Sequence, residues 1–395
     1  MRVIHTISSI GEWSGGPART VTNLCSAIAK SGCNVDFVVG HDAERDGNLI
    51  APSTGLVRLH LLDARRVAGV FLYPGFSNEV ERLATETLPS RPSVLIHDHG
   101  LWSLANIASA KAARRADVPY VLHPRGMLEP WALQYKKYKK WLPWAAYQKH
   151  IICSSAALVA TSEQERKSIK RLFPGLPVAV IPNGVALPRE IPNRAARSDS
   201  ERATLLFMSR VHPKKNLLGL IQAWQEVCRT RSTARWVLQI AGPDELDHTR
   251  ETKTLVHALG LDSRVEFLGI VGEGEKGSVL EAADLFVLPS FSENFGVVVA
   301  EALVYGLPVV ATRGTPWGQL VERGCGWWVD PTPNALAQAL AEGINLSATE
   351  RHAMGLRGRD YAKVAFSWDR IGLTTVQLYE WILGRTASVP PFIDV

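Results

Sequence analysis

The chain has 395 residues, 46% of them hydrophobic and 21% charged. This profile excludes a disordered or fibrous protein and predicts a globular one, too long for one ordinary core and suited to two domains of about 150 to 200 residues each. A formal net charge of +6 and a pI of about 9.1 suit phosphorylated ligands or an anionic membrane surface, and no helix-turn-helix, zinc-knuckle or RNA-binding signature favours nucleic acid.

The five cysteines, Cys25, Cys33, Cys153, Cys228 and Cys325, are odd in number and lack metal-type spacing. They predict buried thiols in a reducing compartment. No apolar run reaches the roughly 20 residues of a membrane span. The opening MRVIHTISSI reads as a strand rather than a signal peptide. A cytoplasmic location is expected.

Residues 2–8 are β-branched and apolar, which predicts a buried first strand. The loop over residues 9–16, ending in Gly15-Gly16-Pro17, leads into a helix over 18–30. Adjacent glycines at a strand's carboxyl end let backbone approach a ligand, but Gly11, Gly15 and Gly16 do not have the dinucleotide spacing G-x-G-x-x-G. Further strands are predicted at 35–39, 57–62, 94–97, 120–123, 157–161 and 178–182, with helices between most of them. This alternation implies a parallel sheet covered on both faces, with ligands beyond the strands' carboxyl ends. Two such ends carry histidine: His97-Asp98-His99-Gly100 and His123-Pro124-Arg125-Gly126. Arg125 adds a cation suited to anions.

Residues 131–150, WALQYKKYKKWLPWAAYQKH, interleave Lys136, Lys137, Lys139 and Lys140 with Tyr135, Tyr138, Trp141 and Trp144. The stretch is read either as a solvated helix face or as an interfacial patch for anionic lipid. Pro143 argues against one long helix. A polar stretch over 188–202 reads as the interdomain linker. The rhythm then repeats. A strand over 204–209 ends at Arg210, followed by His-Pro-Lys214-Lys215 and an amphipathic helix, a placement of cations that suits a diphosphate. Strands over 236–241, 265–268, 284–289, 308–312 and 326–329 complete the second sheet.

The most informative stretch is FSENFGVVVAEAL, residues 291–303, where Glu293 and Glu301 stand eight residues apart around an Asn294-Phe295-Gly296 turn. On a continuous helix they would lie about 12 Å apart on one side. Backbone N–H groups near Phe295 to Val297 would lie between them, facing a sugar or an anion.

This pattern resembles the Glu-x7-Glu motif of retaining glycosyltransferases of the GT-B fold, family 4 in particular. The glycine pair, the His123 loop and the Arg210-x4-Lys215 pair follow in the order the family has them, although Ser209 stands where the family usually has glycine. The resemblance implies an α/β protein with two doubly wound Rossmann-like domains facing a central cleft. Residues 1–185 would form the acceptor-side domain, with a C-terminal helix at about 371–385 packed back on it, and 186–370 the donor-binding domain. It implies transfer of a hexose, with retention, from a UDP- or GDP-linked donor to a hydroxyl of a glycan or lipid-linked acceptor in surface polysaccharide assembly. Arg210 and Lys215 would clamp the donor phosphates with the Gly15 and Gly16 backbone; Glu293 would hold the sugar and Glu301 the ribose. Asn294, Phe295, Gly296 and Val297 would contribute to the donor site, Val271 would contact the base, and His123 the reacting centre. His99 and Arg125 would lie toward the acceptor. Family members with lipid-linked acceptors dock through patches such as that of Lys136, Lys137, Lys139, Lys140 and Trp141, which places the expected location on the inner face of the cytoplasmic membrane. No Asp-x-Asp pair is present, so no metal or other cofactor is expected. A sugar-nucleotide epimerase or hydrolase and a non-catalytic nucleotide-sugar-binding protein remain alternatives, and the glycine spacing disfavours a dinucleotide oxidoreductase.

Overall fold

The computed structural model describes every residue except Ala68, 87–92, Lys136, Pro192, 195–201 and 231–233. The chain divides into two compact units, one formed by Met1–Gly184 with Trp368–Val395 and the other by Val185–Ser367.

The strands of the first unit are β1 (Arg2–Ile7), β2 (Asn34–His41), β3 (Val57–Asp63), β4 (Arg65–Val67), β5 (Val70–Leu72), β6 (Val94–His99), β7 (Tyr120–His123), β8 (Ala157–Ala160) and β9 (Val178–Val180). Seven of them form a sheet in the order β9-β8-β7-β6-β1-β2-β3, extended beyond β9 by the C-terminal strand Ile393–Asp394. That last strand runs antiparallel to β9; the others pair in parallel. β4 and β5 make a separate hairpin. The central strand β1 is buried along its whole length, as expected where helices cover both faces. Two apolar clusters lie on the sheet's two sides. The helix Trp368–Ile382 contributes Ile371, Leu378 and Tyr379 to one of them.

The second unit holds β10 (Ala203–Met208), β11 (Trp236–Ala241), β12 (Val265–Gly269), β13 (Leu285–Leu288), β14 (Val309–Thr312) and β15 (Gly326–Val329), in the order β12-β11-β10-β13-β14-β15. All pair in parallel around one core. Both sheets are doubly wound, and both reverse direction once, at β1/β6 and at β10/β13. Loops that leave such neighbouring strands diverge, and the crevice between them is where ligands bind in open parallel sheets.

Two local expectations fail. The helix after Lys136 does not stop at Pro143. It continues from Lys137–Pro143 through a π turn, Trp144–Gln148, into Lys149–Cys153. Proline removes one N–H and crowds the carbonyl four residues back. The wider turn that follows lets the helix proceed, with Lys149 N–H donating to Trp144 O. The cysteines are not uniformly buried: Cys25, Cys33 and Cys325 are, Cys228 is half-buried, and Cys153 is exposed. Among the described residues no helix is long and apolar enough to cross a membrane.

Candidate functional site

In the C-terminal unit the loops after β10 and β13 meet at the switch point. His212 caps the short turn Pro213–Lys215 through its ring nitrogen, and Phe291 N–H donates to Lys214 O at 2.9 Å, tying the two loops together. Lys215 is thereby buried against Glu293, and the two form a close ion pair. Ser290 Oγ donates to the same carboxylate at 2.8 Å. Burial alone would raise the Glu293 carboxyl. The Lys215 ammonium and its hydrogen bond, with Ser290 and Lys214, overcome that and hold it below the ordinary range.

Backbone geometry fixes Glu293 from behind. Its N–H donates to Gly314 O at 2.8 Å, and a Cβ on Gly314 would lie 2.4 Å from the carbonyl oxygens of Ser290 and Phe291. Only glycine allows that approach. Gly296, at φ 73°, makes the turn into the helix Val297–Val304. Phe295 is buried against Trp317 and Phe366, and Trp317 Nε1 donates to its carbonyl at 2.6 Å. Phe295 therefore anchors the turn, leaving backbone rather than its ring for a ligand. Because the helix begins only at Val297, Glu293 lies in the loop ahead of it, and the two glutamates do not share a continuous helix. Asn294 belongs to the same loop. Glu301, on the helix's second turn, pairs with Lys276 of the helix Glu273–Ala282. Its Oε2 is buried without a hydrogen-bond partner. Val271 sits in the loop before that second helix and packs on the core.

Arg210 is not drawn into this cluster. It is exposed and donates to Glu245 Oε1 at 2.7 Å. Ser209, where the resemblance expects glycine, fits because the close approach is borne by its neighbour: a Cβ on Gly242, at φ 141°, would lie 1.9 Å from Ser209 O.

In the N-terminal unit Gly15, at φ 67°, precedes the helix Gly16–Lys30. A Cβ on either glycine would meet nothing within 4 Å, so this helix start is open. Thr20, one turn on, accepts from Arg125 Nη1 at 2.9 Å. Arg125 also donates to Asn183 Oδ1 at 3.1 Å and faces His99 Nδ1 at 3.2 Å. Burial pushes its guanidinium down to about 10, still a cation at neutral pH. Arg125 is thus committed within its own unit.

His99 and His123 are both buried, as are two histidines that the sequence reading left without a role, His5 and His97. The register explains the grouping: His5 pairs with His97 and His99 with His123 across β1, β6 and β7. Burial and the nearby Arg125 charge lower all four, His5 to about 3. His99 therefore points into the cluster. Both ring nitrogens of His123 are buried and without partners. Asp98, between the two histidines of β6, accepts from Thr6, Tyr120 and Asn106 at 2.7 to 2.8 Å and fixes the strand end from the other side.

His5, His97 and His99 bring ring nitrogens within 4.8 Å of one another, close enough to invite a metal. The donor set opposes one. A neutral histidine bound through Nε2 carries its proton on Nδ1, and at His99 that proton would meet the Arg125 donor. The buried carboxylate beside the array, Asp98, is already taken up by Thr6, Tyr120 and Asn106 and does not offset a dication beside a guanidinium.

The aromatic and basic stretch forms a groove of about 370 Å³ lined by Trp102, Leu133, Lys137, Tyr138, Lys140, Trp141 and Trp144. Tyr138 and Trp141 are each 73% exposed. Lys140 Nζ lies 5.7 Å from the Trp102 ring centre. Lys139 is exposed; Lys136 lies outside the described residues.

Sequence reasoning missed Lys276, Glu245, Thr20 and Tyr379 because their partners are distant in sequence. It also passed over His5, whose place in an otherwise apolar strand was a visible signal.

Comparison with known proteins adds an independent result. The glycosyl transferases group 1 family model matches residues 189–361, and the glycosyl transferase 4-like domain model matches 15–184. A D-inositol 3-phosphate glycosyltransferase of Gordonia bronchialis is 30% identical over 245 residues, 56% of this chain and 51% of that protein. One from Kineococcus radiotolerans is 28% identical over 311 residues, 72% of this chain and 71% of that protein. The chain spans about half the length of the first of these relatives. Among solved structures, a sucrose-phosphate synthase from Thermosynechococcus elongatus superposes with TM-score 0.73 at 22% identity, covering 98% of this chain and 100% of that one. Anabaena Alr3699/HepE in complex with UDP and glucose superposes with TM-score 0.69 at 18% identity, covering 96% of this chain and 100% of that one. Two matched family models that together run through both units, and a shared two-unit architecture, place this chain in the glycosyl transferases group 1 family, with the GT-B fold.

Proposed function

We propose that the protein is a retaining, metal-independent glycosyltransferase that takes a hexose from a nucleotide-sugar, with a UDP-sugar the first donor to test because the related Anabaena protein was crystallised with UDP. The observation that carries this reading is the buried Lys215–Glu293 pair at the β10/β13 switch point, one turn ahead of the helix Val297–Val304. A donor diphosphate would compete with Glu293 for Lys215. The released carboxylate would then accept from hydroxyls of the sugar, while Glu301, with its partnerless oxygen, would accept from the ribose. As the anomeric C–O bond breaks, negative charge grows on the leaving diphosphate. Lys215, the helix N-terminus and Arg210, once released from Glu245, would stabilise it where metal-dependent enzymes use a cation. Gly15, Gly16, Val271 and His123 keep the roles the resemblance implies, each open to its own substitution.

The acceptor we assign to a glycan or lipid-linked hydroxyl, used at an anionic membrane surface on which the groove around Trp141 would rest its exposed aromatics and lysines. Lys215→Ala should lower transfer by about 10²-fold or more, as loss of one preorganised donor at a developing anion does. It should also weaken UDP binding in titration calorimetry. A folded variant with unchanged turnover would remove Lys215 from the reaction. Consumption of donor without any acceptor would point instead to a hydrolase or epimerase.

A further inference from the structure

The buried histidines of the N-terminal unit are linked by hydrogen bonds whose direction can be deduced. Arginine has donors only, so Arg125 Nη2 donates to His99 Nδ1 at 3.2 Å. A neutral His99 then carries its proton on Nε2 and donates to His5 Nδ1 at 2.9 Å. His5 in turn carries its proton on Nε2, which faces the Tyr379 hydroxyl at 3.4 Å. Tyr379 accepts there and gives its single hydrogen to His97 Nδ1, at 2.6 Å. The last ring is left with its proton on Nε2. That nitrogen is buried and has no partner.

An unpartnered buried N–H is costly and calls for an acceptor. His97 lines a cavity of about 10 Å³ together with His123, Thr20, Asn183 and Trp368. Such a volume holds about one water molecule. Both nitrogens of His123 also lack partners.

We propose that this cavity is a binding site for one water molecule, which accepts from His97 Nε2–H and donates to a bare nitrogen of His123. Arg125 fixes the direction through His99, His5 and Tyr379, which makes these four positioning residues for His123. The water leaves His123 bare on the nitrogen that faces the cavity, so its proton sits on the opposite one. The link between this site and catalysis rests on the role proposed above for His123; the water site itself does not.

The test uses full-length protein labelled with ¹⁵N-histidine and long-range ¹H–¹⁵N correlation, with resonances assigned through single His→Gln variants. His5, His97 and His99 should each appear as one Nε2–H tautomer, and the His97 Hε2 proton should show a cross-peak to water. Tyr379→Phe should release His97 and His123 into mixed tautomers while His99, still held by Arg125, keeps its single form. An Nδ1–H tautomer at His5, His97 or His99 in the unaltered protein would overturn the deduced direction. A His97 Hε2 without contact to water would overturn the bound molecule. These readings need no variant beyond those used for assignment, so a misfolded Tyr379→Phe leaves the proposal testable. Tautomers as expected, together with absent nucleotide binding, would preserve the water site and reject the proposed enzyme function.

Discussion

Lowering the pH should unlock the N-terminal unit through its buried histidines. His5, His97, His99 and His123 are all held below the ordinary histidine value of 6.5, by burial first, with the Arg125 charge and, for His97, His99 and His123, neighbouring histidines adding to it. Their folded forms therefore stay neutral while the unfolded chain takes up protons. The sign follows: this contribution is complete above pH 6.5 and is lost as pH falls below it. At pH 5.5, one unit below the unfolded value, each histidine that stays neutral in the fold costs on the order of 1 kcal/mol, and four together cost several. That rivals the whole stability of a typical domain, about 5 to 15 kcal/mol. The assay is hydrogen exchange followed peptide by peptide at pH 7.5 and 5.5, corrected for the intrinsic rate. Protection should collapse in β1, β6 and β7, and fall far less in β10 and β13, whose unit has no such cluster among its described residues. Equal opening free energies for β1, β6 and β7 at the two pH values would refute the reasoning.

Asp36 makes the complementary case. It is fully buried and accepts from Arg2, Arg58 and His60 at 2.7 to 2.9 Å. Burial would raise its carboxyl, but hydrogen bonds from His60, Arg58 and Arg2 and the Arg2 charge depress it below the ordinary 3.8. Its contribution is present above that value and lost as pH falls below it. Asp36→Asn should cost about 2 to 3 kcal/mol at pH 7 in urea unfolding, because the buried Arg2 loses one charged partner and keeps Glu86, and should flatten the acid limb below about pH 4. Gly314→Ala should cost about 1 to 3 kcal/mol by forcing Cβ against two carbonyls, and nucleotide binding should weaken with it because Glu293 N–H loses its anchor; calorimetry checks this. Replacing Lys137, Lys139 and Lys140 by serine, with Lys136, should reduce sedimentation with anionic vesicles and leave binding to neutral ones unchanged; undiminished sedimentation would leave those lysines as a solvated face.

The alternation of strands and helices was legible because buried parallel strands are short, apolar and β-branched, and those of β1, β10 and β13 read that way without ambiguity. Glu293 and Glu301 were equally visible as a spaced pair. What each glutamate touches was not, since Lys215 lies 78 positions from Glu293 and Lys276 lies 25 from Glu301. Spacing along a chain reports contacts only within one element, and both ion pairs join different ones. The same limit hid the histidine array. His97 and His99 share a face because strands alternate, but their meeting with His5 and Tyr379 depends on strand order and on a helix 282 residues away from His97. Pro143 misled for another reason: a proline's local penalty is certain, while the wider turn that absorbs it is decided by tertiary packing. Arg210 was placed correctly at the strand end, but its side chain was free to choose Glu245.

The route of the chain has a practical consequence. The second unit is one unbroken stretch, and its two ends are fastened to each other, with Val185 N–H donating to Phe366 O at 2.8 Å. It is in effect a cassette spliced into a host that resumes at Trp368. Residues 185–367 should therefore express as a separate, soluble fragment that still binds nucleotide. Residues 1–184 alone should not fold, since they lack Tyr379 and the edge strand Ile393–Asp394, and would need 368–395 grafted on through a short linker.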